Sequence, residues 1–119
     1  MKKALITDRV HQHLIAGLEE MGYDVEYEPT ITLDQVKEII SLYEGIVINS
    51  KVKMYKELID RSDSLKWIAR LGSGLEIIDI PYAKSKGIAV VNSPEGNRNA
   101  VAEHCLGMLL ALCNNMLSA

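Results

Sequence analysis

Short apolar runs alternate along this chain with longer stretches in which apolar positions recur every three or four residues. The short runs are typical of buried strands, and the longer stretches are typical of amphipathic helices. We predict strands at residues 4–6, 25–27, 45–49, 67–70 and 88–91. We predict helices at residues 10–21, from 32 onward, at 56–62 and 80–86, and a last helix at 100–117.

Strand and helix follow each other throughout, a pattern that predicts right-handed crossovers and an all-parallel sheet. We expect an α/β fold with a flavodoxin-like, doubly wound sheet of five strands in the order 2-1-3-4-5. Ligands of such sheets bind beyond the carboxyl ends of the strands. The topology therefore predicts a site formed by four segments: Thr7-Asp8, Asn49-Ser50, Leu71 to Leu75 and Asn92 to Asn97.

The composition fits one domain and removes several classes of partner. The 119 residues are 48% hydrophobic and 24% charged, with a net charge of −3. No basic stretch is long enough to follow a phosphate backbone, which argues against nucleic acid. The most apolar stretch, Cys105 to Cys113, is shorter than the roughly 20 residues that cross a bilayer, and the run after Met1 is too short for a signal peptide. We expect a cytoplasmic protein with no membrane partner.

The two cysteines, Cys105 and Cys113, both lie in the last predicted helix. A rise of about 1.5 Å per residue separates them by roughly 12 Å along the helix axis. A disulfide requires Cα atoms within about 7 Å, so the two cannot pair with each other. We expect buried thiols in a reducing compartment.

The histidines do not form a metal site or a catalytic pair in this pattern. His11 and His13 are two residues apart on a helix start, where they face different sides, and no third ligand is nearby. No metal is predicted. Glu103 and His104 are adjacent in the last helix, where neighbouring side chains diverge by about 100°. This spacing favours a packing or capping role for His104.

Gly72-Ser73-Gly74 follows the fourth predicted strand. A dinucleotide-binding fingerprint would need a third glycine where Ile77 stands and an acid where Asn92 stands, so cofactor binding by this turn is disfavoured. Two interpretations remain open. The segment is either a tight strand-to-helix turn or a nest whose backbone N–H groups bind an anion such as a carboxylate. Asn97 and Asn99 precede the last helix, where either could cap it or donate to a substrate oxygen.

The last predicted helix is apolar around most of its circumference. A small domain buries only one side of such a helix, so the other side needs another domain or another chain. We expect that a larger protein has been cut after Ala119, or that the chain self-associates. The expected assembly is a homodimer formed through the helix Ala100–Leu117.

The stretch from Ile46 to Leu112 resembles the D-isomer-specific 2-hydroxyacid dehydrogenases. The resemblance rests on the joint spacing of three motifs: Arg70-Leu71-Gly72-Ser73-Gly74, Gly87-Ile88-Ala89-Val90-Val91-Asn92-Ser93-Pro94, and Asn97 followed by Val101-Ala102-Glu103-His104. The phosphoglycerate dehydrogenase branch is the most similar, which implies a role in serine biosynthesis. The histidine of the last motif matches a non-catalytic position of the family.

The resemblance implies that residues 1–99 are an incomplete substrate-binding (catalytic) domain. Residues 100–119 would be a crossover helix leading to a nucleotide-binding domain that this chain lacks. The family's glycine fingerprint and its catalytic arginine, glutamate and histidine would all lie beyond Ala119. The chain alone is therefore expected to be inactive and to bind no NAD. The intact enzyme would use NAD to convert 3-phosphoglycerate, or a related 2-hydroxy acid, to the 2-oxo acid.

The resemblance also implies which residues contact the substrate. Ser73 and Gly74 match the turn whose backbone N–H groups hold the substrate carboxylate, and Asn97 and Ser50 match polar positions that line the cleft. Asn49 stands where phosphoglycerate-specific members often carry arginine. No cofactor-binding residue is assigned, although Val101 is a candidate to face the cleft, and Glu76-Ile77 replaces a common Asp-Asn pair.

Two other classes compete with a dehydrogenase domain. A stand-alone flavodoxin-like module could bind a small acid or regulate a partner without catalysis. A receiver-type phosphorylation domain would need clustered acids at the strand ends, where only Asp8 qualifies. A Gly-x-Gly-x-x-Gly motif within about 40 residues after Ala119 would decide for a dehydrogenase.

Overall fold

The computed structural model describes residues 2–10, 12–49, 52–71, 76–93 and 105–112, and the structural statements below concern these residues. Five parallel strands form one sheet in the order β2-β1-β3-β4-β5, which confirms the predicted fold and topology. The strands are β1 Lys3–Ile6, β2 Asp24–Tyr27, β3 Gly45–Ile48, β4 Trp67–Leu71 and β5 Ala89–Ser93.

Five helices accompany the strands: α1 Gln12–Glu20, α2 Leu33–Ile39, α3 Lys56–Asp60, α4 Ile80–Ser85 and α5 at residues 105–112. A 3-10 turn that we did not predict, Ile40–Leu42, continues from α2. Only residues 105–112 of the last predicted helix are described, and they are helical. None of the helices within the described ranges is long and apolar enough to cross a membrane.

Local sequence signals account for the helix ends. Thr32 caps α2, because its hydroxyl accepts from the backbone N–H of Gln35 while the Gln35 side chain accepts from the backbone N–H of Thr32. Asp79 caps α4 with its side chain, which accepts from the backbone N–H of Tyr82, and Pro81 lies in the first turn. Gly22 follows α1 with a φ of 95°, a conformation that glycine adopts without strain.

The sheet separates two hydrophobic cores. On one face α2, α3 and α4 cover a core that includes Ile46, Ile48 and Ile68. On the other face α1 and α5 cover a core that includes Val47 and Trp67. Successive residues of β3 thus enter opposite cores, as the period of two in a strand requires, and all four residues of this strand are buried.

Helix α5 buries one side against its own domain. Cys105 and Leu109 are buried in the core beneath α1, whereas Leu110 is 52% exposed. The contact with α1 is close because Gly17 has no side chain, and a Cβ there would lie 2.4 Å from Cδ1 of Leu106. The described part of the helix therefore has a buried side and an exposed apolar residue, and the predicted homodimer stays a prediction.

Burial makes Cys105 a packing residue. Its free thiol is 1% exposed, and desolvation raises its pKa to about 12. The thiol therefore remains protonated at neutral pH and is a poor nucleophile. The other cysteine, Cys113, lies outside the described residues.

Trp67 is the largest fully buried side chain in the described part of the chain. Its indole Nε1 donates to the hydroxyl of Tyr23 at 3.0 Å, and the two rings meet edge to face with centroids 5.7 Å apart. The indole lies directly over Gly45, where a Cβ would be 2.0 Å from Cζ2. Glycine at position 45 is therefore a packing requirement set by the neighbouring strand.

We expect Gly45→Ala to lower the free energy of unfolding by about 2–3 kcal/mol, because the methyl group would force the hydrogen-bonded indole out of its place. Urea unfolding followed by circular dichroism measures the effect. Gly107→Ala is the matched control, since a Cβ there meets nothing within 4 Å. The control should stabilise the exposed helix position by about 0.5–1 kcal/mol. Equal effects of the two substitutions would contradict this account of the packing.

Candidate functional site

Three polar side chains meet at the carboxyl edge of the sheet, at the ends of three neighbouring strands. Asp8 follows β1, Asn49 follows β3, and Arg70 is the penultimate residue of β4. They come together because β1, β3 and β4 are adjacent and parallel, so their ends lie along one line. We call Asp8, Asn49 and Arg70 the edge triplet.

The Asp8 carboxylate fixes the backbone at the end of β3. Its Oδ2 accepts from the backbone N–H of Asn49 at 3.0 Å. The buried hydroxyl of Thr7 lies 3.2 Å from the carbonyl oxygen of Val47 and 3.4 Å from the same Oδ2, and its single proton can serve only one of them at a time. These contacts tie the end of β1 to the end of β3 beyond the last ladder bonds.

Arg70 links the ends of β3 and β4. Its Nη1 donates to Oδ1 of Asn49 at 2.7 Å and lies 3.4 Å from the carbonyl oxygen of Leu71. The arginine is only 9% exposed, whereas Asn49 is exposed. A cation at such depth must be hydrogen-bonded, and here its bonds hold an asparagine that faces solvent.

The segment that follows residues 72–75 is anchored by a second set of contacts. The backbone N–H of Met54 donates to the carbonyl of Ile77 at 2.8 Å, and the N–H of Asp79 donates to the carbonyl of Met54 at 2.9 Å, which forms an isolated parallel bridge. The hydroxyl of Tyr55 donates to the carbonyl of Glu76 at 3.1 Å. Arg70 lies before residues 72–74 and these contacts lie after them, so the chain is fixed on both sides of Gly72-Ser73-Gly74.

The described residues that follow Gly72-Ser73-Gly74 do not fit the binding of a dinucleotide. Ile77, at the place of the fingerprint's third glycine, is 8% exposed and belongs to the core under α2 to α4. The next helix begins only at Ile80, and its N-terminal turn is occupied by the Asp79 carboxylate, which accepts from Tyr82 N at 3.2 Å. A pyrophosphate binds a free helix N-terminus directly after the glycine turn. Helix α4 offers no such place.

The structure describes one of the five predicted substrate-binding residues. Asn49 lies at the carboxyl edge, as predicted, and Asn92 pairs in register with Arg70 on the neighbouring strand. Ser50, Ser73, Gly74 and Asn97 fall outside the described residues, as do Val101, His104 and the boundary predicted at residues 99 and 100. Those assignments stay predictions. Within the described ranges no three potential metal ligands come together.

Sequence reasoning missed the role of Arg70. We used it only as part of a motif, although a charged residue in the otherwise apolar strand Trp67–Leu71 was a usable signal. Buried charges are rare and need partners, so a lone arginine in such a strand indicates a polar contact at its end. Its partner Asn49 was not predictable, because that contact depends on the register of β3 against β4.

The comparisons with known proteins agree with this architecture. The model of the family "D-isomer specific 2-hydroxyacid dehydrogenase, catalytic domain" matches residues 4–116. The chain belongs to this family. The family includes NAD-binding dehydrogenases, and one of the solved relatives was determined with NAD+ bound.

Individual relatives show the same relationship. The D-3-phosphoglycerate dehydrogenase of Methanocaldococcus jannaschii is 37% identical over 119 residues, which are 100% of this chain and 22% of that protein. The hydroxypyruvate reductase of Thermotoga maritima is 33% identical over 112 residues, which are 94% of this chain and 36% of that protein. The NAD+-bound 3-phosphoglycerate dehydrogenase of Entamoeba histolytica has a TM-score of 0.68 at 31% identity, over 91% of this chain and 38% of that one.

We expect the 119-residue chain to bind no NADH at micromolar concentrations, because Ile77 and Asp79 occupy the positions where a dinucleotide would need a glycine and a free helix N-terminus. Calorimetric titration measures this, with the full-length gene product as the positive control. If the chain binds NADH at micromolar concentrations and Gly74→Val abolishes this binding, residues 72–74 belong to a cofactor-binding loop. That result would contradict our interpretation.

Proposed function

We propose that this chain is the substrate-binding part of an NAD-dependent D-2-hydroxyacid dehydrogenase that acts on 3-phosphoglycerate or a related 2-hydroxy acid. The match of residues 4–116 to the catalytic-domain family carries the proposal. The relatives named above as D-3-phosphoglycerate dehydrogenase and hydroxypyruvate reductase point to small hydroxy and oxo acids of three carbons. The chain spans only 22% of the first of these, so the activity belongs to the full-length protein.

The edge triplet supports an acidic substrate. Its only cation, Arg70, lies at the carboxyl edge, and its only carboxylate, Asp8, already accepts from the backbone of Asn49. The formal charges of Asp8 and Arg70 sum to zero, so attraction of an acidic ligand would come from the local field on the Arg70 side of the triplet. A carboxylate or phosphate oxygen would gain from that field, since a buried, fixed cation is poorly screened.

The residues of this chain would bind and orient the acid, and the proton transfer and the redox chemistry would take place on the other domain. In that arrangement NAD supplies the hydride chemistry, and the nucleotide-binding part of the full-length protein holds it. The contribution of this chain is positional. Fixing the acid at the strand ends lowers the entropy that must be lost before the reacting atoms meet.

The full-length protein should oxidise D-3-phosphoglycerate or D-glycerate with NAD+, and it should reduce hydroxypyruvate with NADH. Absorbance at the NADH band gives the rates, and the L-enantiomers are the matched controls, which should react at least a hundredfold more slowly. The isolated 119-residue chain should show no turnover. Failure of the full-length protein to turn over any D-2-hydroxy acid in a panel from D-lactate to D-3-phosphoglycerate would sink the proposed activity.

We propose further that the isolated chain forms a homodimer through α5. A shallow groove between α1 and α5 is lined by Gly17, Glu20, Met21, Leu106, Gly107 and Leu110, and it is mainly apolar apart from Glu20; Leu110 is the most exposed leucine of α5. The helix thus carries both a protruding leucine and part of a glycine-lined groove, a self-complementary surface that a twofold axis can pair. Leu109, by contrast, is fully buried in its own domain and is not available to a partner.

We expect Leu110→Lys to weaken self-association of the chain at least tenfold, because it removes an apolar contact worth about 1.5–3 kcal/mol from each half of the interface. Sedimentation velocity over a concentration series measures the association. Leu42→Lys is the matched control, since Leu42 is a leucine of comparable exposure, 61% against 52%, on the opposite side of the sheet and should leave association unchanged. A chain that stays monomeric at high micromolar concentration would refute the dimer.

A further inference from the structure

The contact between Arg70 and Asn49 determines which way the Asn49 amide points. A guanidinium group has only donors, so the Asn49 atom that it contacts at 2.7 Å has to be the carbonyl oxygen. The amide nitrogen then lies on the far side of the side chain, directed away from Arg70. The contact with Arg70 thus fixes the orientation of the Asn49 side-chain amide, which would be free for an asparagine that contacts only solvent.

The backbone of Asn49 is held independently of its side chain. The Asp8 carboxylate accepts its N–H at 3.0 Å, so neither end of the residue can turn freely. Among the described residues no acceptor contacts Nδ2 of Asn49, and the residue is exposed at the carboxyl edge of the sheet. The two N–H groups of the Asn49 side-chain amide are therefore held in a fixed orientation at the carboxyl edge of the sheet, near the end of β4.

We propose that Arg70 is a positioning residue that locks Asn49 as a pure donor, so that this edge selects ligands with an acceptor oxygen there, a carboxylate or a phosphate, over ligands that present only donors, such as an ammonium group. The proposal rests on the function proposed above and adds its specificity element. The Arg70 charge also polarises the Asn49 amide, because hydrogen bonds in series strengthen one another. A hydrogen bond to an ionised oxygen contributes about a tenfold gain in affinity.

Removal of Arg70 should release the amide. Without its donor, Asn49 can rotate by half a turn and present its carbonyl to the ligand in place of its N–H groups. The hydrogen bond from the backbone N–H of Asn49 to Asp8 does not prevent this rotation, since it does not involve the side-chain amide. The loss should therefore appear in the binding of the acid and leave the chemical step nearly unchanged, because the proposed effect of Arg70 on the ligand runs through Asn49.

A double-mutant cycle in the full-length enzyme tests this coupling. Arg70→Met and Asn49→Ala should each raise the Michaelis constant for the preferred acid about tenfold with kcat within about twofold. The double variant should be no worse than Asn49→Ala alone. Arg61→Met, which removes an exposed arginine at the end of α3, is the matched control and should leave the Michaelis constant unchanged. Multiplying effects in the double variant would overturn the proposal.

The substitution Asn49→Asp provides a second test of the proposed donor role of Asn49. The substitution keeps the shape and strengthens the contact to Arg70 but replaces the two donors with a carboxylate oxygen. We expect the melting temperature to be kept and the Michaelis constant to rise more than in Asn49→Ala, because an acceptor now faces the acid. A Michaelis constant equal to that of the wild type would show that the donors of Asn49 do not contact the ligand, and would overturn the proposal.

A binding experiment separates this proposal from the proposed activity. In the full-length protein labelled with 15N-asparagine, the side-chain N–H2 signals of Asn49 are assigned by their loss in Asn49→Asp. Oxalate, which has only acceptor oxygens, should shift these signals in the wild type and not in Arg70→Met. Such a result upholds the positioning role even if no hydroxy acid is turned over. An oxalate shift that persists in Arg70→Met, or is absent from the wild type, refutes the role.

Discussion

Burial of the central strand on both faces is the constraint on which the rest of this domain depends. All four residues of β3 are inaccessible, with Val47 in one core and its neighbours Ile46 and Ile48 in the other. Both layers of helices are needed to keep water from this strand, and no polar side chain can be placed along it at low cost. Polar chemistry is therefore displaced to the ends of the strands. The edge triplet is the result, since Asp8 and Asn49 follow their strands and Arg70 is the penultimate residue of β4.

Much of this architecture follows from the sequence, for physical reasons that differ between elements. The order of strands was predictable because alternating strands and helices leave few right-handed arrangements, and the ends of α1 and α2 were predictable because Gly22 and Thr32 act locally. The 3-10 turn at Ile40–Leu42 was not, since Ile39 and Ile40 continue the helical pattern. The bridge between Met54 and Ile78 was also missed, because a single pairing between distant segments has no periodicity. The candidate site was predicted only as a location. Its main contact, between Arg70 and Asn49, depends on inter-strand register, which short apolar strands do not reveal.

The edge triplet also relates the family membership to substrate choice. The resemblance implies arginine at the position of Asn49 in phosphoglycerate-specific members. In this chain an arginine of the neighbouring strand contacts that position, since Nη1 of Arg70 lies 2.7 Å from Oδ1 of Asn49. Under the proposed positioning role, a ligand would meet the two N–H donors of Asn49 with the Arg70 cation behind them, and both a carboxylate and a phosphate offer acceptor oxygens to that arrangement.

The position of Trp67 makes the folding of this domain observable apart from its binding. It is the single tryptophan of the chain, it is fully buried, and it stands edge-on to Tyr23 at the start of β4. Three residues of extended strand, about 10 Å, separate it from Arg70 at the other end of the same strand. Its emission therefore depends on the packing around Trp67 in the core that α1 and α5 cover. The fluorescence of Trp67 can therefore serve as a measure of whether this domain is folded, at a position about 10 Å from Arg70.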